Sequence, residues 1–499
     1  MVKSGLAGSL YLLLAFSASL LDAADTPPAK PNLVYILCDD LGFGDVHCLN
    51  TQRGKIATPH ADQLAAQGMV FTEAHSGSSV CSPTRYGIIT GRYAWRTKLQ
   101  AGVLDGNSPP LIDAARLTVP GLLKEQGYHT GCIGKWHLGM TLPDAKRFAD
   151  PIQNGPTTRG FDFFYGISAS LDMPPYAFIE NDRYTGALTV TKQWIRKGPA
   201  APGFEAEDVL PTLARKAVEY IDQRKAEKKP FMLYLALASP HTPIVPTKPW
   251  QGKSGLGAYG DFVMETDWAL GQVMAAIDRA GIAANTLVIF TSDNGCSPAA
   301  GVDKLEKQGH FPSADRRGYK ADIWDGGHRV PFIARWPRVI KPGSVSGQLT
   351  CLTDLMATCA DILGAKLPDN AGEDSVSILP LLKGQDQPVR EAAVHHSIQG
   401  MFALRQGNTK LIFGPGSGGW SRNGDDKALV QLYNMRQDAG ERQNRQEDNA
   451  DVARLTQLME KYIADGRSTP GQTQKNDVPV KLWKQGRPTE PPPVGKGKQ

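Results

Sequence analysis

Short apolar runs recur along this chain, and each one ends in polar residues. NLVYILC at 32–38 runs into Asp39 and Asp40, FMLYLALA at 231–238 runs into His241, and TLVIFT at 286–291 runs into Asp293 and Asn294. Uninterrupted apolar runs of this length suit strands covered on both faces, as in a parallel sheet. Between them lie helical patterns. TPHADQLAAQG offers Thr58 as a cap, Pro59 in the first turn and Gly68 as a stop, and LPTLARKAVEYIDQRKAEK and FVMETDWALGQVMAAIDRAG carry apolar residues at three-to-four spacing. Strands alternating with helices predict an open α/β sheet, which binds ligands at the carboxyl ends of its strands. Asp39, Asp40, His241, Asp293 and Asn294 all fall at such ends.

The pattern changes after about residue 365. LPDNAGEDSVSILPLLKGQ is punctuated like a linker. Strand-like pieces follow (AAVHHSI, MFALRQGNTKLIF, QLYNM), split by GPGSGGW, and then a helical DVARLTQLMEKYIADG. These predict a smaller α+β domain on an antiparallel sheet at 376–466, after a larger domain at 25–375. From 467 to 499 Pro, Lys and Gln dominate, which predicts a poorly ordered tail. At the other end, Lys3, an apolar run and the small residues of DAAD describe a secretory signal peptide at 1–24, cut near Ala23 or Ala24. That run is shorter than the ~20 residues a membrane span needs, so the mature chain is expected to be exported, periplasmic or extracellular, with no stable membrane span.

Composition narrows the function classes. The net charge of +5 over 499 residues is scattered, with no basic block of the kind that marks nucleic-acid binding. Seven cysteines are too few for a disulfide scaffold and leave at least one unpaired. Sequence leaves open whether Cys351 and Cys359 pair, or whether they and Cys38, Cys48, Cys132 and Cys296 are small buried hydrophobes.

Two sets of residues carry chemistry. Asp39, Asp40, Asp293 and Asn294 offer only oxygen donors, which favour Ca²⁺ or Mg²⁺ over zinc, although each pair taken singly also fits a turn or cap. Lys135 and His137 fall two apart on one side of what reads as an extended segment, and Arg85, His241 and Lys320 add positive or titratable groups. Together they describe a pocket for a tetrahedral oxyanion. Cys81 sits beside Arg85 at an apparent helix start, a positive field that would activate a nucleophile.

Cys81-Ser82-Pro83-Thr84-Arg85 matches the C-x-P-x-R signature of type I sulfatases, and GYHTGCIGKWH at 127–137 resembles that family's second signature. GFDFFYGISASLD, SPHTP, SDNG and RGYKADIWDGGHRVPFIARWP follow in the family's order, so the resemblance spans Pro31 to Tyr462. The resemblance implies an alkaline-phosphatase-like fold: a large mixed, mostly parallel sheet sandwiched by helices, with the smaller C-terminal domain. It implies that a formylglycine-generating maturation enzyme converts Cys81 to Cα-formylglycine. The hydrated aldehyde would attack sulfur, forming a covalent sulfo-enzyme, and its second hydroxyl would then release sulfate. By the same resemblance Asp39, Asp40, residue 81, Asp293 and Asn294 hold one divalent cation, usually Ca²⁺, and Asp293 is the base for the first step. Arg85 and Lys135 hold the diol, and His137 is the base for its collapse. His241 and Lys320 bind sulfate and protonate the leaving oxygen, and Ser170 hydrogen-bonds near the sulfate. The implied substrate is a sulfated glycan or small sulfate ester. Asp172, Tyr176, His310, Trp324 and Trp420 are candidates for a sugar subsite. A phosphate-ester hydrolase of the same superfamily and a carbohydrate-binding protein on an inactive scaffold are the rival readings.

Overall fold

The structure is a computed structural model. It describes residues 1–2, 30–144, 147–227, 229–422 and 428–484. The apolar run of the expected signal peptide lies outside the described residues. Everything below belongs to the compact unit Pro31–Gln499.

Ten strands form one sheet: β1 (Asn32–Cys38), β2 (Met69–Phe71), β3 (His129–Lys135), β4 (Phe163–Ile167), β5 (Ile179–Glu180), β6 (Arg183–Tyr184), β7 (Phe231–Ala236), β8 (Thr286–Ser292), β9 (Phe332–Arg335) and β10 (Ser344–Ser346). Their spatial order is β10-β2-β9-β8-β1-β7-β3-β4-β5-β6. The central five, β8-β1-β7-β3-β4, are parallel, and the antiparallel strands are β9 and β5. Strand alternation explains why the three apolar runs are unbroken. Val34, Ile36 and Cys38 pack on one face with the helices α1 (Pro59–Gln67), α4 (Val209–Glu227) and α5 (Ala258–Arg279). Leu33, Tyr35 and Leu37 pack on the other with α2 (Cys81–Thr90), α3 (Val119–Glu125) and α6 (Leu355–Ile362). Both faces are dry, so neither can carry polar residues. The sheet and the helices predicted from the apolar pattern are all present.

A second, antiparallel sheet of four strands, β11 (Ala393–His396), β12 (Phe402–Gln406), β13 (Thr409–Ile412) and β14 (Gln431–Asn434), packs against α7 (Asn449–Ala464). A buried polar cluster fastens it to the region around the large sheet. The His328 and His395 rings stack at 4.0 Å, and His75 Nδ1 lies 3.1 Å from His328 Nδ1. Lys410 of β13 donates to Asp325 and Glu441, at 2.9 and 2.7 Å. These histidines form a metal-sized cluster, yet two parallel stacked rings cannot both direct lone pairs at one ion, and Lys410 would repel it. We read the cluster as structural.

One sequence expectation is corrected and one open question is answered. Residues 467–484 are packed against the protein rather than a poorly ordered tail. The buried guanidiniums of Arg92 and Arg96 need acceptors, and they find Asp477, the Lys475 carbonyl and Asn476. Leu482 is buried in the small-sheet core, and Trp483 packs edge-on against Phe413. Residues 485–499 lie outside the described residues. No disulfide joins Cys351 to Cys359: all seven cysteines are free, and these two pack in different cores.

Burial holds His328 and His395 well below the usual imidazole range, and the neighbouring ring and Lys410 push the same way; His75 is lowered too. A base whose folded pKa is depressed stabilises fully above its unfolded pKa, near 6.5, and loses that stability as pH falls below it. Melting temperature is therefore expected to fall as pH drops from about 6.5 to 5, at up to ~1.4 kcal/mol per pH unit for each histidine, and the fall should be shallower in His395→Asn. A melting temperature constant across that range would contradict this.

Candidate active site

β1 and β8 are hydrogen-bonded neighbours, so the residues after them meet. Asp39 and Asp40 follow β1, Asp293 and Asn294 follow β8, and all four are buried. The Asp293 amide donates to the Cys38 carbonyl at 3.1 Å and the Asp40 amide to Asp293 Oδ1 at 3.2 Å. Asp40 adopts a left-handed backbone (φ +66°), which turns its side chain back toward the strand ends at a cost in strain that active sites commonly carry.

Three buried carboxylates demand counter-charge, and three cations supply it. Arg85 of α2 makes a two-nitrogen contact to Asp293 Oδ2, at 3.0 and 2.7 Å, and lies 3.5 Å from Asp39. Lys135, the last residue of β3, donates to Asp39 Oδ2 at 2.7 Å, and Lys320 reaches Asp40 at 2.7 Å. Gly134 before Lys135 has φ +116°, and a Cβ there would collide with the Ala236 carbonyl, so only glycine lets β3 deliver this lysine. Burial alone would raise Asp39, but Lys135, His241 and Arg85 hold it well below the usual carboxylate range. Asp293 goes the other way: burial raises it beyond what Arg85 restores. Lys320 is held above its usual value because Asp40 and its neighbours outweigh burial.

Ser170 closes a ring of contacts. It accepts from Lys135 Nζ at 3.0 Å and lies 3.3 Å from His241 Nε2, which is 3.6 Å from Asp40. His241 Nδ1 donates to the Thr242 carbonyl at 2.6 Å, leaving Nε2 toward the site. The strand ends at Lys135, and His137 has φ +57°, so the two do not share one side of an extended segment as the spacing suggested. Instead His137 Nε2 donates to the Leu104 carbonyl at 2.6 Å, and its Nδ1 is buried without a partner. Burial, Lys135 and Arg85 push His137 well below the imidazole range, so it is a neutral base with a free lone pair.

Cys81 is the first residue of α2, with Sγ 3.7 Å from Asp39 Oδ1. Burial pushes its thiol up to about 12, against the pull of Lys135 and Lys320. A thiol held protonated is a poor nucleophile, so this position does not suit an ordinary cysteine hydrolase. Sequence reasoning missed Ser82 and Leu104. Ser82 Oγ accepts from the Leu104 amide at 3.1 Å while the Leu104 carbonyl holds His137, which ties the base to the helix bearing Cys81. Nothing in the spacing of residues 82, 104 and 137 signals that link.

The oxygens of Asp39, Asp40 and Asn294 fit a hard divalent cation. Asp39, Asp40, Cys81 and His241 present atoms within 4.8 Å of one another, and Asn294 Oδ1 is buried with no partner while its amide donates to Asp40. Three carboxylates against three fixed cations are balanced; a divalent ion adds the excess positive charge that an oxyanion requires.

Of the five sugar-subsite candidates, three are structural. Trp324 is buried under the small sheet and donates to Gln431, His310 pairs with buried Asp45 at 2.8 Å, and Tyr176 donates to backbone carbonyls within an aromatic cluster. Trp420 is half exposed. Asp172 accepts from Arg196 at 2.7 Å through one oxygen, and its other oxygen is buried without a partner two residues beyond Ser170.

The family model described as Sulfatase matches residues 31–365. The N-acetylgalactosamine-6-O-sulfatase of Bacteroides thetaiotaomicron is 34% identical, covering 86% of this chain and 93% of its own. The mouse (Mus musculus) steryl-sulfatase is 32% identical, covering 81% and 74%. A solved Bacteroides thetaiotaomicron sulfatase from a glycosaminoglycan-metabolism locus superposes with a TM-score of 0.78 at 33% identity, covering 87% of this chain and 99% of that one.

Adding Ca²⁺ or Mg²⁺ to chelator-treated protein is expected to raise the melting temperature, by the equivalent of ~2.7 kcal/mol when the ion is at a hundred times its Kd. Asp40→Asn should abolish the rise. Identical melting curves with ion and with chelator would contradict the expectation that Asp39, Asp40, Asp293 and Asn294 hold an ion.

Proposed function

The chain belongs to the sulfatase family and is a sulfuric ester hydrolase; we propose that it is an exported enzyme that removes sulfate from a sulfated glycan, with the 6-sulfate of an N-acetylhexosamine as its favoured target. The observation that carries the reading is the closed buried ring Asp39–Lys135–Ser170–His241–Asp40 beside residue 81. The Bacteroides thetaiotaomicron N-acetylgalactosamine-6-O-sulfatase and the solved sulfatase from a glycosaminoglycan-metabolism locus both belong to carbohydrate metabolism, which supports a glycan substrate. The half-satisfied Asp172 carboxylate supports a sugar hydroxyl over a sterol at the rim, because an apolar ring system would leave that oxygen unpaired. In this reading residues 25–375 carry the catalytic groups and 376–466 flank them, the signal peptide at 1–24 directs export, and a maturation enzyme converts Cys81 to formylglycine.

A divalent ion, Ca²⁺ by preference for an all-oxygen set, would be held by Asp39, Asp40, Asp293 and Asn294 and would supply positive charge to a sulfate oxygen. A hydrated aldehyde at 81 supplies two hydroxyls on one carbon, one to displace the alcohol and one whose deprotonation expels sulfate, which a serine cannot do. The chain's own residues do the rest. Asp293, whose carboxyl burial raises, accepts the first proton. Lys135 and Arg85 fix Asp39 and Asp293 around position 81 and spread the negative charge that develops there. His137 Nδ1, neutral and unpartnered, accepts the proton in the second stage. His241 Nε2 and Lys320 Nζ face Asp40 from the open side, where they bind sulfate oxygens and return a proton to the leaving alcohol.

Parallel turnover of a sulfate and a phosphate ester of one alcohol tests the reading. A preference for sulfate of at least about a hundredfold, some 2.7 kcal/mol in the barrier, is expected; a preference for phosphate would favour the phosphohydrolase. His137→Ala is expected to lower kcat by about 10²–10⁴ with little change in the first, sulfate-transferring stage. Equal loss in both stages would remove His137 from its role.

A further inference from the structure

Away from the ring of catalytic groups, the segment that leads into Lys320 borders a second cavity of about 500 Å³, lined by Asp315, Arg316, Arg317, Tyr433, Arg442 and Asn444. None of the catalytic or metal-site residues lines it. Its three arginines come from two loops. Arg317 is fixed: its guanidinium lies 3.6 Å over the Trp324 ring and donates to the Glu441 carbonyl at 2.8 Å. Glu441 is itself an anchor. It is fully buried, it accepts from Lys410 at 2.7 Å and from the Asp325 amide at 2.7 Å, and it holds a left-handed backbone (φ +50°) that a non-glycine residue keeps only under constraint. The turn that presents Arg442 is therefore rigid. Arg316 Nε is buried with no partner, and the only ion pair of that side chain among the described residues is a 3.5 Å contact to Asp315, itself mostly exposed. The guanidinium of Arg442 has no ion pair among the described residues.

Three guanidiniums, one fixed by its surroundings, one anchored by its turn and one with an unpartnered buried nitrogen, around a space the size of a small ligand are out of proportion to one exposed carboxylate. We propose that this cavity is a second anion subsite, which binds a sulfate or carboxylate group on a neighbouring sugar of the same glycan chain. The proposal rests on the glycan-sulfatase reading and deepens it: the preferred substrate is a polyanionic oligosaccharide rather than a single sulfated sugar. Arginine suits the task because its planar fork meets either oxyanion with paired hydrogen bonds. Reach also fits. Lys320 lies four positions after Arg316, so their Cα atoms are no more than ~14 Å apart, a span that a short oligosaccharide covers. Preorganisation adds to charge, because Arg317, already held by stacking and a backbone contact, loses little freedom when the ligand arrives.

The test is the ratio of kcat/KM for an oligosaccharide to that for 6-sulfated N-acetylgalactosamine alone. Two oligosaccharides are compared, one with unsulfated uronic acid neighbours and one with sulfated neutral neighbours, so that carboxylate and sulfate are told apart. For the wild type the ratio is expected to exceed one for at least one of them and to shrink as KCl rises. In the Arg316→Gln/Arg442→Gln variant, with its fold checked by melting temperature, the ratio should drop about tenfold, and Arg442→Lys should recover part of it. A ratio that the double variant leaves unchanged would overturn the proposal. A wild type that cleaves no sulfate ester would fail the glycan-sulfatase reading instead. In that case fluorescence anisotropy of the labelled oligosaccharides on the same proteins decides the subsite: about tenfold weaker binding to the variant upholds it, and equal binding overturns it.

Discussion

Three carboxylates at the ends of two neighbouring parallel strands, cut off from water, would tear the fold open if left without counter-charge. Arg85, Lys135 and Lys320 answer them from a helix, a third strand and a loop, so elements far apart in the chain are bound to one place. That one electrostatic demand explains other features. It accounts for the glycine before Lys135, for the left-handed turn at Asp40, and for the way Ser170 and His241 close the ring. It also makes the site conditional. With charges balanced among themselves, the groups are poised for a cation and an oxyanion together, and each makes the other's presence affordable.

Residue 81 belongs to the same logic. A thiol at this buried position is pushed up to about 12 and sits 3.7 Å from a carboxylate oxygen, so as cysteine it has little chemistry to offer. In the proposed reading the position holds a neutral, hydrated group whose protons leave one at a time, to Asp293 and then to His137. Ser82 links these demands mechanically, because the helix that presents residue 81 also holds Leu104, and through it the ring of His137.

Much of this was legible in the sequence. Unbroken apolar runs identified β1, β7 and β8 because both faces of a parallel sheet are dry, and polar residues at their ends marked the site. What the sequence concealed depends on contacts between distant residues. Trp324, His310 and Tyr176 look like sugar-binding groups in isolation, but an aromatic or imidazole side chain fills a core just as well, and only the fold decides. The segment at 467–484 has a disordered composition, yet the buried Arg92 and Arg96 require its oxygens. The Arg316, Arg317 and Arg442 cavity is assembled from loops more than a hundred residues apart, and no local pattern announces it.

The central claim is that residue 81 acts as an aldehyde made from cysteine, within reach of the carboxylate cluster. The most direct measurement is the mass of the peptide spanning residues 78–92 from preparations of graded specific activity. The account predicts that CHO replaces CH₂–SH and that the converted fraction rises in proportion to activity. Fully active protein with an intact thiol at position 81 would contradict it.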